Sequence, residues 1–202
     1  MCEDRGMKPS FLSLRHAPWL KRPLVAVLFL WATSLWAQSP PALKTIASLD
    51  VPRYLGVWHE IAKFPNWFQK KCASDTSAQY TLVADGQLQV LNQCRLQNGE
   101  MERAQGQARQ IGGPSSAKLE VRFAPAWLSF LPFVWGDYWV VDLDEGYTLA
   151  AVSEPRREYL WILSRSPVVD EARYAALLER LRAKGLDVSR LEKTVHQRPE
   201  GR

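Results

Sequence analysis

Ala117-Lys118-Leu119-Glu120-Val121-Arg122-Phe123 alternates apolar and charged residues without a break. Ala117, Leu119, Val121 and Phe123 share one face; Lys118, Glu120 and Arg122 share the other. An extended backbone sends successive side chains to opposite sides, so a period of two marks a strand with one buried face. The segment predicts a β-strand whose sheet covers an apolar interior.

Working outward, Asp85-Gly86 joins two more runs of this kind. Asp-Gly is a strong hairpin signal, because a two-residue primed turn needs positive φ. The arm before it puts Ala78, Tyr80 and Leu82 on one face, and the arm after it does the same for Leu88 and Val90. If that turn sets the register, residue 94 lies opposite residue 77. Eight runs read as strands, at about 56–63, 76–83, 87–94, 100–109, 117–123, 136–143, 146–153 and 158–165. All connections but two are short, as antiparallel neighbours require. Eight strands can close into a barrel that holds one small ligand, and closure leaves no edge. The expected fold class is all-β: an eight-stranded antiparallel up-and-down barrel with one C-terminal α-helix packed on the outside.

That helix is expected over about Val169 to Lys184. Tyr174, Leu177, Leu178 and Leu181 form a single apolar stripe at helical spacing. Asp170 and Glu171 stand in its first turn, Arg182 and Lys184 in its last, and Gly185 stops it. Leu186 to Val195 reads as a last extended segment that pairs with the barrel. The barrel and helix together occupy 49–197, after a Pro-containing lead-in at 38–48 and before a loose polar tail at 198–202.

Residues 1–37 read as an export signal, with a basic stretch from Arg15 to Arg22 ahead of an apolar run from Leu24 to Trp36. The run is shorter than the roughly 20 residues of a spanning helix. Cleavage after Ala37 and retention as an anchor both remain open. This segment holds five Lys/Arg and two acids, so of the formal charge of +5 only +2 belongs to the remainder. That balance, with no basic stripe, argues against nucleic acid as a partner. Cleavage would leave Cys72 and Cys94 in an oxidising compartment, where an even pair reads as a disulfide; two buried thiols are the alternative. A bridge would close a loop of about 23 residues, worth roughly 3 kcal/mol.

Leu49-Asp-Val-Pro-Arg-Tyr-Leu-Gly-Val-Trp-His-Glu-Ile-Ala62 resembles the opening of lipocalins, whose first strand carries Gly-x-Trp, here Gly56-Val57-Trp58. Tyr159-Leu-Trp-Ile-Leu-Ser-Arg165 resembles the last barrel strand of that family. Tyr138-Trp-Val-Val-Asp-Leu-Asp144, followed by Gly146-Tyr147, resembles the region of its third motif. The likeness covers about Leu49 to His196 and is strongest to the bacterial lipocalin and apolipoprotein D branch. It implies that Gly56, Trp58 and Arg165 close one end of the barrel, with the guanidinium stacked on the indole. Two departures stand out. Leu143 and Glu145 replace the neighbours of Asp144 in the family's Thr-Asp-Tyr. The lipidated Cys of the branch's outer-membrane lipoproteins is not found after the apolar run, since Cys2 precedes it and Cys72 comes next.

The resemblance implies a lipid or other small hydrophobic ligand, of the fatty acid or lysophospholipid class, carried in the cell envelope. The expected site is periplasmic, with peripheral contact at the outer membrane. The residues expected to face the interior are Tyr80, Leu82, Leu88, Val90, Leu119, Val121, Trp139 and Val141. Tyr80 and Tyr138 are the polar candidates for a head group. The connection 124–135 holds Trp127, Leu128, Phe130, Leu131, Phe133 and Trp135 where loops are usually polar. By analogy it lies at the barrel mouth, as a lid or a membrane-touching tip. Inward folding and assembly into a homodimer are the competing readings.

Catalysis finds little support. Of the three histidines only His59 falls in the barrel, on the face opposite Trp58. No nucleophile elbow, zinc-protease motif, phosphate loop or metal-spaced Cys/His cluster occurs, so no cofactor or metal is expected. Glu60 can face inward, either as half of a carboxylate pair or, as favoured here, in a structural hydrogen bond at the closed end. The expectation is a binding protein and not an enzyme.

Overall fold

In the computed structural model, residues 41–83 and 87–197 are described. The expected export signal, residues 38–40 of the lead-in, the tail from Arg198 onward and the Asp85-Gly86 turn itself lie outside them. Eight antiparallel strands run β1 Gly56–Lys63, β2 Cys72–Leu82, β3 Leu88–Leu96, β4 Met101–Gln110, β5 Lys118–Arg122, β6 Gly136–Leu143, β7 Leu149–Ser153 and β8 Leu160–Ser164. Each pairs with the next, and β1 pairs with both β8 and β2, which closes the barrel. A ninth short strand, β9 Glu192–Lys193, pairs with the end of β1. It lies on the edge of β1 that β2 leaves after His59.

Two helices frame the barrel. The four-residue α1 Val51–Tyr54 is capped by Asp50, whose side chain accepts from Arg53 N–H, and carries Pro52 in its first turn. It covers the end where β1 begins: Leu49 N–H donates to Ser115 O in the β4–β5 connection, and Arg53 Nη2 to Glu145 O in the β6–β7 connection. The β1–β2, β3–β4, β5–β6 and β7–β8 connections therefore lie at the opposite, open end. The second helix, α2 Glu171–Ala183, starts at the Asp170 cap. It buries Tyr174, Leu177 and Leu181. The two fully buried leucines contribute about 1.5–3 kcal/mol each by transfer from water. Among the described residues no helix is long and apolar enough to cross a membrane.

The core has two layers. The inner one joins Trp58, Tyr80, Val90, Leu119, Val140, Val152 and Leu163 with Leu49 and Tyr54. The outer one lies between α2 and the wall made by β1, β6, β7 and β8, and includes Phe64, Val141, Ile162 and Leu177. The lead-in enters this outer layer through Leu43 and bonds β6 through Ile46 N–H to Val140 O.

Three expectations need correction. The β2–β3 register differs by one from a two-residue turn: Leu82 pairs with Leu88 and Tyr80 with Val90, so Gln93, not Cys94, lies opposite Ser77. That register keeps the apolar faces of both arms together; the two-residue turn would set Tyr80 against Leu91. Strand β2 also starts four residues earlier, at Cys72, and reaches β3 through two irregularities around Asp75, whose φ is +56°. Finally, Trp139 and Val141 belong to the outer layer, not the interior. Leu119 pairs with Tyr138, which puts Tyr138 on the inner face and leaves Trp139 beside Lys118. A bulge between Val140 and Asp142 then leaves Val141 and Asp142 both outside, where Asp142 takes two hydrogen bonds from Arg180 on α2.

Candidate functional site: the barrel interior

The barrel wall and α1 enclose a narrow apolar cleft. Tyr80, Leu88, Leu119 and Val121 line it, all four among the residues expected to face the interior. Val90 is buried in the same inner layer without lining the cleft, while Leu82, at the end of β2, is 53% exposed. Sequence reasoning missed the floor, made by Leu49, Val51, Tyr54 and Leu55, and Ala108 on β4. Tyr138 completes the lining. The space totals about 290 Å3 counting its open part, but it is so tight that a water molecule's centre has only about 10 Å3 to move in. That is room for about one water. Any larger ligand must displace side chains.

Every lining side chain is hydrocarbon except three tyrosines. Tyr138 Oη lies 2.9 Å from Tyr54 Oη and 2.8 Å from Tyr80 Oη. Tyr54 and Tyr80 are buried, whereas Tyr138 keeps partial exposure. Burial pushes the Tyr80 hydroxyl up to about 12 and raises Tyr54 and Tyr138 as well, so all three stay neutral.

Below the cleft, Trp58 is fully buried and donates from Nε1 to Tyr54 O at 2.8 Å. Arg165 lies across its ring, 4.0 Å from the centroid. The stacking implied by the family likeness is present. Asp144, the retained residue of the altered motif, organises the neighbouring turn by accepting from the N–H groups of Thr148 and Leu149 and from Arg173.

Toward the open end, Glu60 pairs with Leu163 and shares its inward face. Its two carboxylate oxygens accept from Gln69 Nε2 at 2.7 Å and Thr194 Oγ1 at 2.6 Å. Gln69 Oε1 in turn accepts from Trp161 Nε1 and Asn66 Nδ2. Burial raises the carboxyl above its ordinary range against the pull of these bonds. Glu60 thus fastens the β1–β2 connection and the C-terminal segment to the wall, at the open half and not at the closed end. Among the described residues no second carboxylate is bonded to it. His59 sits on the other face, against His196.

The 124–135 connection does not enter the cleft. Trp135 anchors it to the outer face of the barrel, with its ring 4.1 Å from the Arg109 guanidinium and its Nε1 donating to Ser129 O. Trp127, Phe130 and Phe133 stand 72%, 75% and 79% exposed, while Leu128 and Leu131 are half-buried. The three exposed aromatics recur every third residue across two 3-10 turns, Ala126–Leu128 and Pro132–Val134. At the same open end Trp67, on the β1–β2 connection, is 74% exposed. Cys72 and Cys94 form a disulfide with their Cα atoms 5.5 Å apart, beside this rim.

Residues 49–196 match the model of the lipocalin-like domain. The chain is 43% identical to temperature-induced lipocalin-1 of Arabidopsis thaliana over 154 residues, covering 75% of this chain and 82% of that protein. It is 36% identical to the outer membrane lipoprotein Blc of Escherichia coli K12 over 172 residues, covering 83% and 93%. It is also 32% identical to mouse apolipoprotein D over 162 residues, covering 77% and 80%. Among solved structures, insecticyanin from the tobacco hornworm Manduca sexta shares the fold with a TM-score of 0.60 at 21% identity, over 80% of this chain and 87% of that one. Barrel, closing stack and sequence agree that this chain belongs to the lipocalin family.

Proposed function

We propose that this lipocalin carries a small hydrophobic molecule, of the fatty acid or lysophospholipid class, inside its barrel. The observation that carries the reading is the cleft itself: enclosed by the wall, floored by α1, and hydrocarbon but for three neutral hydroxyls. Such a lining binds by removing apolar area from water, at about 25 cal/mol per Å2. No cation lines it, so a charged head group stays at the open end and the tail goes in. The formed disulfide suits an oxidising compartment, and the likeness to outer membrane lipoprotein Blc supports the periplasmic side of an envelope. The exposed aromatics of 124–135 supply a membrane-touching tip beside the mouth, through which lipid enters. Nothing in the site supports a reaction.

Native mass spectrometry of the purified protein, with extraction of what accompanies it, tests the reading. A stoichiometric fatty acid or lysophospholipid is expected. Protein that is empty and also refuses added lipids would overturn the carrier reading, and concentration-dependent dimers in that same sample would favour assembly through 124–135 instead.

A further inference from the structure

The three tyrosines hold one proton too many. Each phenol brings one O–H, so the three together bring three donors. Only two contacts join them, Tyr54 to Tyr138 and Tyr138 to Tyr80. Whichever way the chain of bonds runs, two protons are used and one is left over. Among the described residues none of the three hydroxyls has any further hydrogen-bond partner. The remaining cleft side chains, such as Leu49, Leu88, Leu119 and Val121, are hydrocarbon and offer no acceptor.

A donor left unpaired among hydrocarbon is costly and gains when an acceptor arrives. The acceptor must be neutral. The nearest cation, Arg165, lies behind the Trp58 ring, and its donors go to the carbonyls of Tyr147, Val57 and Arg53. A carboxylate or phosphate driven this deep would be a buried charge without a partner. Tyr54, Tyr80 and Tyr138 all line the cleft, and an entering ligand reaches their hydroxyls by displacing the side chains packed around them.

The geometry points to Tyr54, Tyr80 and Tyr138 as a subsite for a neutral oxygen, so that the preferred ligand is an apolar molecule bearing a ketone, ester or hydroxyl at the end that enters first. This rests on the carrier reading above and narrows it: a plain acyl tail leaves the donor unmet, and an oxygenated one satisfies it.

The test compares a thirteen-carbon methyl ketone with the alkane of equal length, each competing against N-phenyl-1-naphthylamine. It is run on the wild type and on the triple variant Tyr54→Phe, Tyr80→Phe, Tyr138→Phe. Water-transfer differences between the two ligands cancel in the ratio of ratios. The wild type should favour the ketone about five- to tenfold more than the variant does, the worth of one net hydrogen bond. Equal preference in both proteins overturns the subsite while leaving the carrier intact. Failure of the wild type to bind either ligand overturns the carrier reading and the subsite with it. Should the variant not fold, the infrared carbonyl stretch of the ketone on the wild type decides. A band lower than in hexane supports the subsite, and an unshifted band overturns it.

Discussion

Arg165 covers Trp58 like a plate. Its guanidinium carbon lies 4.0 Å from the indole centroid, and its three nitrogens donate to the carbonyls of Tyr147, Val57 and Arg53. One side chain thus ties the β6–β7 connection, β1 and α1 together over the closed end. Replacing it by Met keeps the apolar stem and removes the donors. Arg165→Met should lose about 2 kcal/mol, because these bonds sit near solvent and water replaces part of them. Trp58→Ala should lose more, about 4 kcal/mol, by opening a cavity in the inner layer. Urea unfolding measures both, and an Arg165→Met variant as stable as the wild type would show that the plate is idle.

Gly56 is the hinge from α1 into β1. Its φ is +96°, and a Cβ added there would stand 3.2 Å from Arg165 Nη1. Two costs combine: a backbone region that L side chains rarely adopt, and crowding of the group just described. Gly99, at φ +87° with nothing within 4 Å of an added Cβ, carries only the first cost. Gly56→Ala should therefore destabilise by about 1–3 kcal/mol and by more than Gly99→Ala. Equal losses in the two variants would show that Arg165 yields freely.

The closing role of Gly56, Trp58 and Arg165 was legible through the likeness of the stretches around them to lipocalin motifs. The strand pattern was legible from periodicity alone: Leu119 and Val121 alternate with charges, so their face is unambiguous. On β6 the signal failed. Tyr138, Trp139, Val140 and Val141 are apolar without a break, since α2 covers the outer face, and hydrophobicity no longer says which side is in. In the β2–β3 hairpin two signals conflicted. Asp85-Gly86 suggested an even turn, while the alternation of Tyr80 and Leu82 with Leu88 and Val90 required an odd one; burial decided. The floor of the cleft was hidden because Val51 and Tyr54 lie in a one-turn helix too short for any periodicity, announced only by Asp50 and Pro52.

Glu60 gives the barrel a pH signature. Burial is the main cause of its raised pKa, and the bonds from Thr194 and Gln69 with the charges of Lys63 and His196 offset only part of it. A folded state that holds a proton the unfolded chain has released is favoured by acid. Stability from this group is full below the ordinary value of 4.5 and declines as pH rises through the folded value. His59 acts with opposite sign: burial first, then His196, lowers its pKa, so its contribution is full above 6.5 and falls as pH drops below that. Glu60→Gln isolates the first effect. The stability of the wild type relative to the variant should decline from pH 4.5 upward in urea titrations, and a constant difference would contradict the assignment.

The aromatic connection 124–135 allows a sharper test of how ligand reaches the mouth. Trp135 stacks on Arg109 at the barrel wall and donates to Ser129 O, which ties the connection to the wall at its outgoing end. Trp127, Phe130 and Phe133 project from the connection and make no contribution to the cleft. The connection contains no charged residue, which suits the headgroup boundary of a bilayer. Trp127→Ser with Phe130→Ser should abolish most co-sedimentation with phospholipid vesicles. It should leave unfolding midpoints unchanged, because neither side chain is buried. Lipid bound from detergent solution should also be unaffected, while transfer from vesicles slows. Vesicle binding that survives both substitutions would remove the membrane role. If the same variant also dissociates a wild-type dimer, these aromatics serve self-assembly instead.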